Sequence, residues 1–268
     1  IELRRRVIEL RPRVIERGLG EAMSARVLLI GMGGLGCPVA SILAQRGPSA
    51  PPLALTLLDD DVVDGTNLHR QTLYSPRDVG ALKVERAAAR LSEFAAASRT
   101  SIELHPVCKR LTPDNARDLV ASHDLVIEGA DNLPTKFLTA DAAALERTPV
   151  VHAGVVRWSG WVKAVVPGRG ACMRCVFEDL PADRVETCAD AGVVGALVGV
   201  MGALAGGLAI RLLRGEVAAA DAITRVDALA GKARTSRVRA RASCALCGVV
   251  PSITDVALAR YAPVCAGA

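Results

Sequence analysis

Apolar positions along the chain fall into short runs that alternate in kind. Residues 25–30 (ARVLLI) and 53–58 (LALTLL) are compact runs of strand character, the first with no polar residue after Arg26. Such near-continuous runs suit parallel strands covered on both faces. Between and after them come longer segments with helical spacing, predicted at 34–46, 81–97, 113–122 and 138–147. Further strands are predicted at 101–106, 124–128 and 149–153, and GPSAPP at 47–52 reads as a surface turn. This β-α alternation predicts an α/β fold with a Rossmann-like, doubly wound, mostly parallel sheet.

Beyond residue 154 the pattern changes. Residues 158–166 read as strands of another kind, and a short basic strand region is predicted at 235–241. Residues 192–210 (GVVGALVGVMGALAGGLAI) are uncharged and long enough to cross a bilayer. The run is rich in Gly, Ala and Val, with small residues at four-residue spacing, and no second span accompanies it. A helix buried on all sides of a soluble core is the expected outcome. Each glycine costs a helix about 1 kcal/mol against alanine, so close backbone packing, for example between two copies of the chain, explains them best. The organisation expected is one continuous domain with three parts: a helical arm over 1–25, a nucleotide-binding part over 26–154, and a further part over 155–268.

Composition narrows the reading. The chain has 268 residues, 51% of them hydrophobic, enough for a sizeable core. Aromatic residues make up only 3%, which speaks against base stacking and hence against nucleic acid as the main partner. The net charge is +5, with arginines clustered at Arg4–Arg6 and at Arg237, Arg239 and Arg241. Such clusters suit a phosphate or an acidic partner, or simply a solvated surface. The charged N-terminus carries no export signal. Eight cysteines in a chain of this length, four of them in two CxxC pairs, fit a reducing cytoplasm and a metal site better than disulfides.

The glycine turn GMGGLG at 31–36 lies between a strand and a helix, where backbone N–H groups and a helix N-terminus hold negative charge. Gly31, Gly33, Gly34 and Gly36 would form this cradle. Alone the pattern is weak, since nicotinamide and flavin enzymes show it too. Asp59, at the end of the second strand, would hold a ribose hydroxyl in either case. The residues after it discriminate. Asn67, Arg70, Gln71 and Lys83 follow the triplet Asp59-Asp60-Asp61, and a hydride-transfer enzyme needs no such set of phosphate partners. Arg70 and Lys83 can neutralise charge on an attacked α-phosphate, while Asn67 and Gln71 hold phosphate oxygens or the attacking group. Asp131, after the fourth strand, lies where a carboxylate could hold Mg²⁺.

Taken as a set, GMGGLG, Asp59-Asp60-Asp61, Asn67-Leu68-His69-Arg70-Gln71, Gly80-Ala81-Leu82-Lys83 and Ala130-Asp131-Asn132 resemble the MoeB/ThiF/HesA family, relatives of ubiquitin-activating enzymes. The resemblance runs from about residue 26 to the end. It implies ATP- and Mg²⁺-dependent adenylylation of the C-terminal glycine of a ubiquitin-like sulfur-carrier protein (MoaD/ThiS-like) ending in Gly-Gly. The expected nucleotide site comprises the four glycines, Asp59, Asp61, Asn67, Arg70, Gln71, Lys83, Asp131 and Asn132. Arg70 and Lys83 would bind phosphates and Asp131 the metal. The family further implies a homodimer, with an N-terminal arginine reaching into the partner's site. Gapless counting puts that position at Val7, beside Arg6. No sulfurtransferase segment follows in the sequence, so a separate sulfur donor is expected.

Cys172-Met-Arg-Cys175 and Cys244-Ala-Leu-Cys247 offer four thiolates, the set that closes a structural zinc site and leaves no open position for catalysis. The resemblance places both pairs where relatives bind zinc, and the carrier's body would dock near that lobe. Redox dithiols are the alternative. Cys188, between the first pair and the glycine-rich helix, is a candidate nucleophile. The resemblance implies a persulfide or thioester link there, against the plain alternative of an inert loop thiol. Cys37 and Cys108 read as small buried residues, and His69 as a lining residue. Three rival functions stand beside the adenylyltransferase: a tRNA-modifying dehydratase of the same superfamily, a nicotinamide oxidoreductase, and a non-catalytic zinc-stapled adaptor for a ubiquitin-like protein.

Overall fold

The structure is a computed structural model and describes residues 24–180 and 192–261. The expected arm over 1–25, its arginines, Cys188 and Cys265 lie outside the described residues, except for the last two positions of the arm. One eight-stranded sheet organises the rest, in the order β3-β2-β1-β4-β5-β6-β7-β8. Strands β1 (Ala25–Ile30), β2 (Leu53–Leu58), β3 (Ile102–Val107), β4 (Leu125–Glu128) and β5 (Val150–Val156) run parallel. Strands β6 (Ser159–Val165), β7 (Ala222–Asp227) and β8 (Lys232–Arg237) extend the sheet antiparallel. It is the predicted Rossmann-like sheet, with the chain reversing its winding between β1 and β4.

Each face of the sheet carries its own apolar core. Leu29, Leu55, Leu57 and Ile127 point to one side, under α1 (Gly36–Ala44) and α2 (Lys83–Ser98). Leu28, Leu58 and Val126 point to the other, under α3 (Pro113–Ala121) and α4 (Leu133–Leu145). Adjacent residues of one strand thus face opposite cores, which is why β1 and β4 read as unbroken apolar runs.

The other helices differ from the reading in instructive ways. Helix α4 begins five residues earlier than expected. Asn132 caps it by accepting the Thr135 N–H at 2.9 Å. Pro134 sits in its first turn, where a missing N–H costs nothing. A short helix α5 (Met173–Phe177) follows the first cysteine of its CxxC pair. The glycine-rich helix α6 (Gly195–Leu213) is buried on one side rather than all round. Gly202 and Gly206 face Pro38 and Ile42 of α1 so closely that a Cβ would come within 2.2 Å and 3.2 Å of them. Val200 and Leu204 on the opposite side are 49% and 38% exposed. The basic strand lies three residues earlier than predicted, as β8, and pairs with β7.

Candidate nucleotide site and cysteine centre

Register builds the site. Ile30 pairs with Leu58 on one side and with Glu128 on the other. The next residue of each strand, Gly31, Asp59 and Gly129, therefore forms a row at the carboxyl edge, at the switch point where α/β sheets bind ligands. The row is tight. Gly31 has φ +87°, and a Cβ on it would lie 3.1 Å from the Ala130 nitrogen and the Gly129 carbonyl carbon. Gly36 belongs to this packing: its Cβ would lie 1.9 Å from the Gly31 oxygen. Gly33 and Gly34 line the cleft, and a Cβ on Gly33 would meet nothing closer than Gln71 Nε2 at 3.8 Å. That open backbone is a cradle that a phosphate can enter.

Asp59 straps the turn. One carboxylate oxygen accepts the Met32 N–H at 2.6 Å, the other the Asp61 N–H at 2.8 Å. Burial pushes the Asp59 carboxyl above its ordinary pKa, while Lys83 pulls it back. Tyr74, unremarked in the sequence, donates its hydroxyl to the Met32 carbonyl at 2.8 Å and supports the turn from below. Cys37 is buried there as expected, its thiol pushed up to about 12 by desolvation, whereas Cys108, also expected to be buried, is exposed just past the end of β3.

The segment after Asp61 loops out and returns. Val62 bridges Leu82, and the Lys83 N–H donates to the Asp61 carbonyl at 3.0 Å. The Lys83 ammonium then pairs with the Asp61 carboxylate at 2.7 Å, the lysine 6% exposed and the aspartate 57%. Within the loop, the Asn67 carbonyl accepts the N–H groups of Arg70 and Gln71 at 3.0 and 3.1 Å. This single turn sets Asn67, Arg70 and Gln71 on one side, facing the cleft. His69, expected to line the site, is not among the residues lining the cleft and acts through its neighbour instead. Its Nδ1 donates to the Thr66 carbonyl at 2.9 Å, so Nε2 accepts from Arg70 Nη1 at 3.2 Å and orients the guanidinium. Gln71 is 3% exposed and its Oε1 has no partner among the described residues. An orphaned polar atom at a cleft wall is a place for a ligand donor.

Asp131 stands exposed on the far wall, with no side-chain partner among the described residues. Asn132 beside it spends its oxygen on the helix cap. Arg110, which the sequence reading missed, pairs with Asp60 at 3.0 Å at the cleft mouth. The cleft encloses about 1270 Å³. It runs from the glycine turn past Gly154, Gly160 and Trp161 to Arg225 and Arg234, and exceeds the ~300–1,000 Å³ of a pocket for one small ligand.

The four CxxC cysteines meet across 72 residues of sequence. Sγ atoms of Cys172 and Cys175 lie 3.8 Å apart, Cys172 and Cys244 3.6 Å, Cys175 and Cys247 3.4 Å, and Cys172 and Cys247 3.3 Å. Tetrahedral zinc–thiolate bonds of about 2.3 Å put sulfurs about 3.8 Å apart, so the set can take zinc. Hydrogen bonding with Cys172 and Cys175 holds the Cys247 thiol below its ordinary pKa. The Arg241 N–H donates to Cys175 Sγ at 3.4 Å. Arg174, between the first two cysteines, pairs with Asp141 of α4 through two bonds of 2.7 and 2.9 Å, and Tyr261 donates to the same carboxylate at 2.7 Å. The cysteine lobe is thereby tied to the helix that follows Asp131.

A glycine cradle at a sheet switch point, walled by cations and carboxylates, is the site of a nucleotide-binding α/β protein. Residues 5–249 match the ThiF family, and the chain belongs to it. It is 39% identical over 239 residues to "Adenylyltransferase and sulfurtransferase MOCS3" of Bos taurus, covering 87% of this chain and 50% of that protein. It is 35% identical over 243 residues to "SAMP-activating enzyme E1" of Haloferax volcanii, covering 89% and 87%. The chain thus spans about half the length of the MOCS3 proteins it matches. Among solved structures, Escherichia coli MccB crystallised with ATP superposes with a TM-score of 0.68 at 23% identity, covering 85% of this chain and 68% of that one. At that identity the likeness speaks for the fold.

Metal analysis of the purified protein is expected to find about one zinc per chain, and chelation to lower its melting temperature. A metal-free protein with an unchanged melting temperature removes the assignment.

Proposed function

We propose that this chain adenylylates the C-terminal glycine of a ubiquitin-like sulfur-carrier protein, with ATP as co-substrate, in the cytoplasm. One observation carries the reading: a single continuous cleft joins the glycine cradle to a basic strand pair four strands away, so a nucleotide and a peptide tail fit end to end. The names of the MOCS3 and SAMP-activating relatives support the same reaction class.

In this reading the backbone of Gly31, Gly33 and Gly34 holds phosphate, and Asp59 offers its remaining lone pairs to a ribose hydroxyl. Arg70 and Lys83 offset the charge that builds on the α-phosphate as the carrier's carboxylate attacks and pyrophosphate leaves. Asn67 and Gln71 take phosphate or nucleophile oxygens through their amide N–H groups, and the unpaired Gln71 Oε1 accepts from a donor on the ligand. Asp131 is the residue to hold Mg²⁺, with Asp61 and Asn132 flanking the site. A bound cation there would help neutralise the leaving pyrophosphate. The protein mainly positions two poor reactants and steadies charge. The cysteine centre takes structural zinc. Cys188 is the candidate for a later covalent link to the carrier, and the sulfur comes from a separate donor protein.

The tail has a measurable path. From β4 to β8 the sheet spans four strand spacings, about 19 Å, which an extended peptide covers in about six residues. The carrier's body would then sit over β7 and β8, beside the zinc lobe. There Arg225 stands directly opposite Arg234, next to Trp161 of β6. Neither arginine has an ion-pair partner among the described residues. Like charges directly opposite are destabilising, so a carboxylate-bearing partner fits this face.

Homodimerisation is proposed through the outer face of α6. Ala196, Gly199, Val200, Ala203, Leu204 and Gly207 form an uncharged stripe at helical spacing, none of it fully buried. Among the described residues, a Cβ on Gly199 or Gly207 would meet nothing within 4 Å. Packing among the described residues therefore does not explain those glycines, while the approach of a second helix does.

Asp131→Ala is expected to leave the fold intact and lower carrier-dependent ATP–pyrophosphate exchange about 100- to 1,000-fold, the scale of losing one electrostatic stabiliser. Unchanged exchange rejects Asp131 as the metal ligand. The double variant Arg225→Glu, Arg234→Glu is expected to raise the carrier's KM about tenfold, about 1.4 kcal/mol, with the KM for ATP unmoved. A carrier KM that stays at the wild-type value removes the docking face. Val200→Glu is expected to turn a sedimenting dimer into a monomer; a wild-type protein that already sediments as a monomer refutes the α6 interface.

A further inference from the structure

Below the loop that presents Asp131 lies a buried charge cluster that the proposed chemistry does not use. Glu128 ends β4 with no exposed surface, and Lys136 of α4 is 6% exposed. The Lys136 ammonium donates to both Glu128 oxygens at 3.0 Å and to the Ala153 carbonyl of β5. Its three N–H groups are thus all spent, and it has none left for a substrate. Glu128 is a hub in turn. Its Oε1 also accepts the Ala130 N–H at 2.7 Å, and its Oε2 accepts from His152 Nδ1 at 3.2 Å. Burial holds His152 below its ordinary pKa, so a neutral imidazole donates through Nδ1.

The two charged residues stand at the two ends of the segment 129–135. Ala130 is anchored on Glu128, and Asn132 is anchored on the Thr135 N–H. Asp131 between them is the exposed member of the segment, without a side-chain partner among the described residues. A buried ion pair of this kind is weak as a source of stability, since desolvation offsets its attraction. Its value lies in geometry: it closes the loop at its base and leaves one carboxylate projecting into the cleft.

We propose that Glu128 and Lys136 form a clasp that positions the Asp131 carboxylate for the metal–nucleotide, with Lys136 a positioning residue rather than a catalytic one. This rests on the reading of Asp131 as metal ligand, and the test separates the two. Wild type, Asp131→Ala, Lys136→Met and Lys136→Arg are compared in Mg²⁺ titrations of carrier-dependent ATP–pyrophosphate exchange and in ATP binding with EDTA present. Lys136→Met is expected to lower kcat about 100-fold, the scale of an ångström-sized misplacement, and to raise the Mg²⁺ needed for half-maximal rate. Its metal-free ATP affinity and carrier KM should stay at wild-type values. Lys136→Arg, whose fork matches a carboxylate, is expected to recover most of the rate and the wild-type Mg²⁺ response.

Wild-type kcat and Mg²⁺ response in Lys136→Met overturn the clasp while Asp131→Ala remains inactive. Parallel loss of metal-free ATP affinity, carrier affinity and melting temperature in Lys136→Met also overturns it, since the lesion is then general. Full activity in Asp131→Ala instead overturns the metal reading itself. Should Lys136→Met fail to fold, Lys136→Gln keeps one donor to Glu128 and is judged by the same criteria.

Discussion

Everything at the cleft depends on how closely two backbones approach at the carboxyl edge of the sheet. Gly31 follows β1 and Gly129 follows β4; a Cβ on Gly31 would press on the Gly129 carbonyl carbon at 3.1 Å, and one on Gly129 on the Gly36 nitrogen at 3.3 Å. That contact brings the glycine turn and the Asp131 loop together as walls of one cleft. A side chain on either would pry the two loops apart and separate the phosphate cradle from the opposite carboxylate. Asp59 completes the row from β2 and holds the turn in place through Met32. Three consecutive strand ends, aligned by register alone, thus set the dimensions of the site.

Charge around this row is arranged before any ligand arrives. Lys83 is buried and already paired with Asp61, and Arg70 is steadied by His69. Cations held in place and partly desolvated act on phosphate more strongly than mobile surface ones, and need less reorganisation when charge moves. In the proposed reaction Lys83 would share itself between Asp61 and a phosphate oxygen. The Gln71 oxygen and the Asp131 carboxylate, without partners among the described residues, fit the same pattern of groups left available to a ligand.

The second half of the chain supports this edge from outside. Arg174, buried between two cysteines of the centre, grips Asp141 on α4, and Tyr261 from the C-terminal segment joins the same carboxylate. Breaking one member of such a buried set leaves a charge uncompensated, so the cysteine lobe, α4 and the chain end are held as a unit. On the other face, Gly202 and Gly206 let α6 lie against α1. The two supports leave the cleft open along β6–β8, where a macromolecular substrate can lie over the sheet.

Local pattern carried a good part of this. The strand runs at 25–30 and 53–58, the phosphate turn, the one-turn spacing of Asn67, Arg70 and Gln71, and the chemistry of two CxxC pairs are properties of neighbours in sequence, and spacing encodes them. Other features depend on residues brought together from afar. The clasp of Glu128 with Lys136 and His152 and the grip of Arg174 on Asp141 leave no periodic trace, because an ion pair constrains two positions and not the interval between them. The helix expected from 138 starts at Leu133, because the cap at Asn132 lets Pro134 sit in its first turn. The apolar run at 192–210 has the length of a bilayer span, while its Gly-, Ala- and Val-rich composition points to a helix buried on all sides. Hydropathy counts side chains but not the directions they face, and one-sided burial against α1 emerges only once the sheet has set where each helix lies.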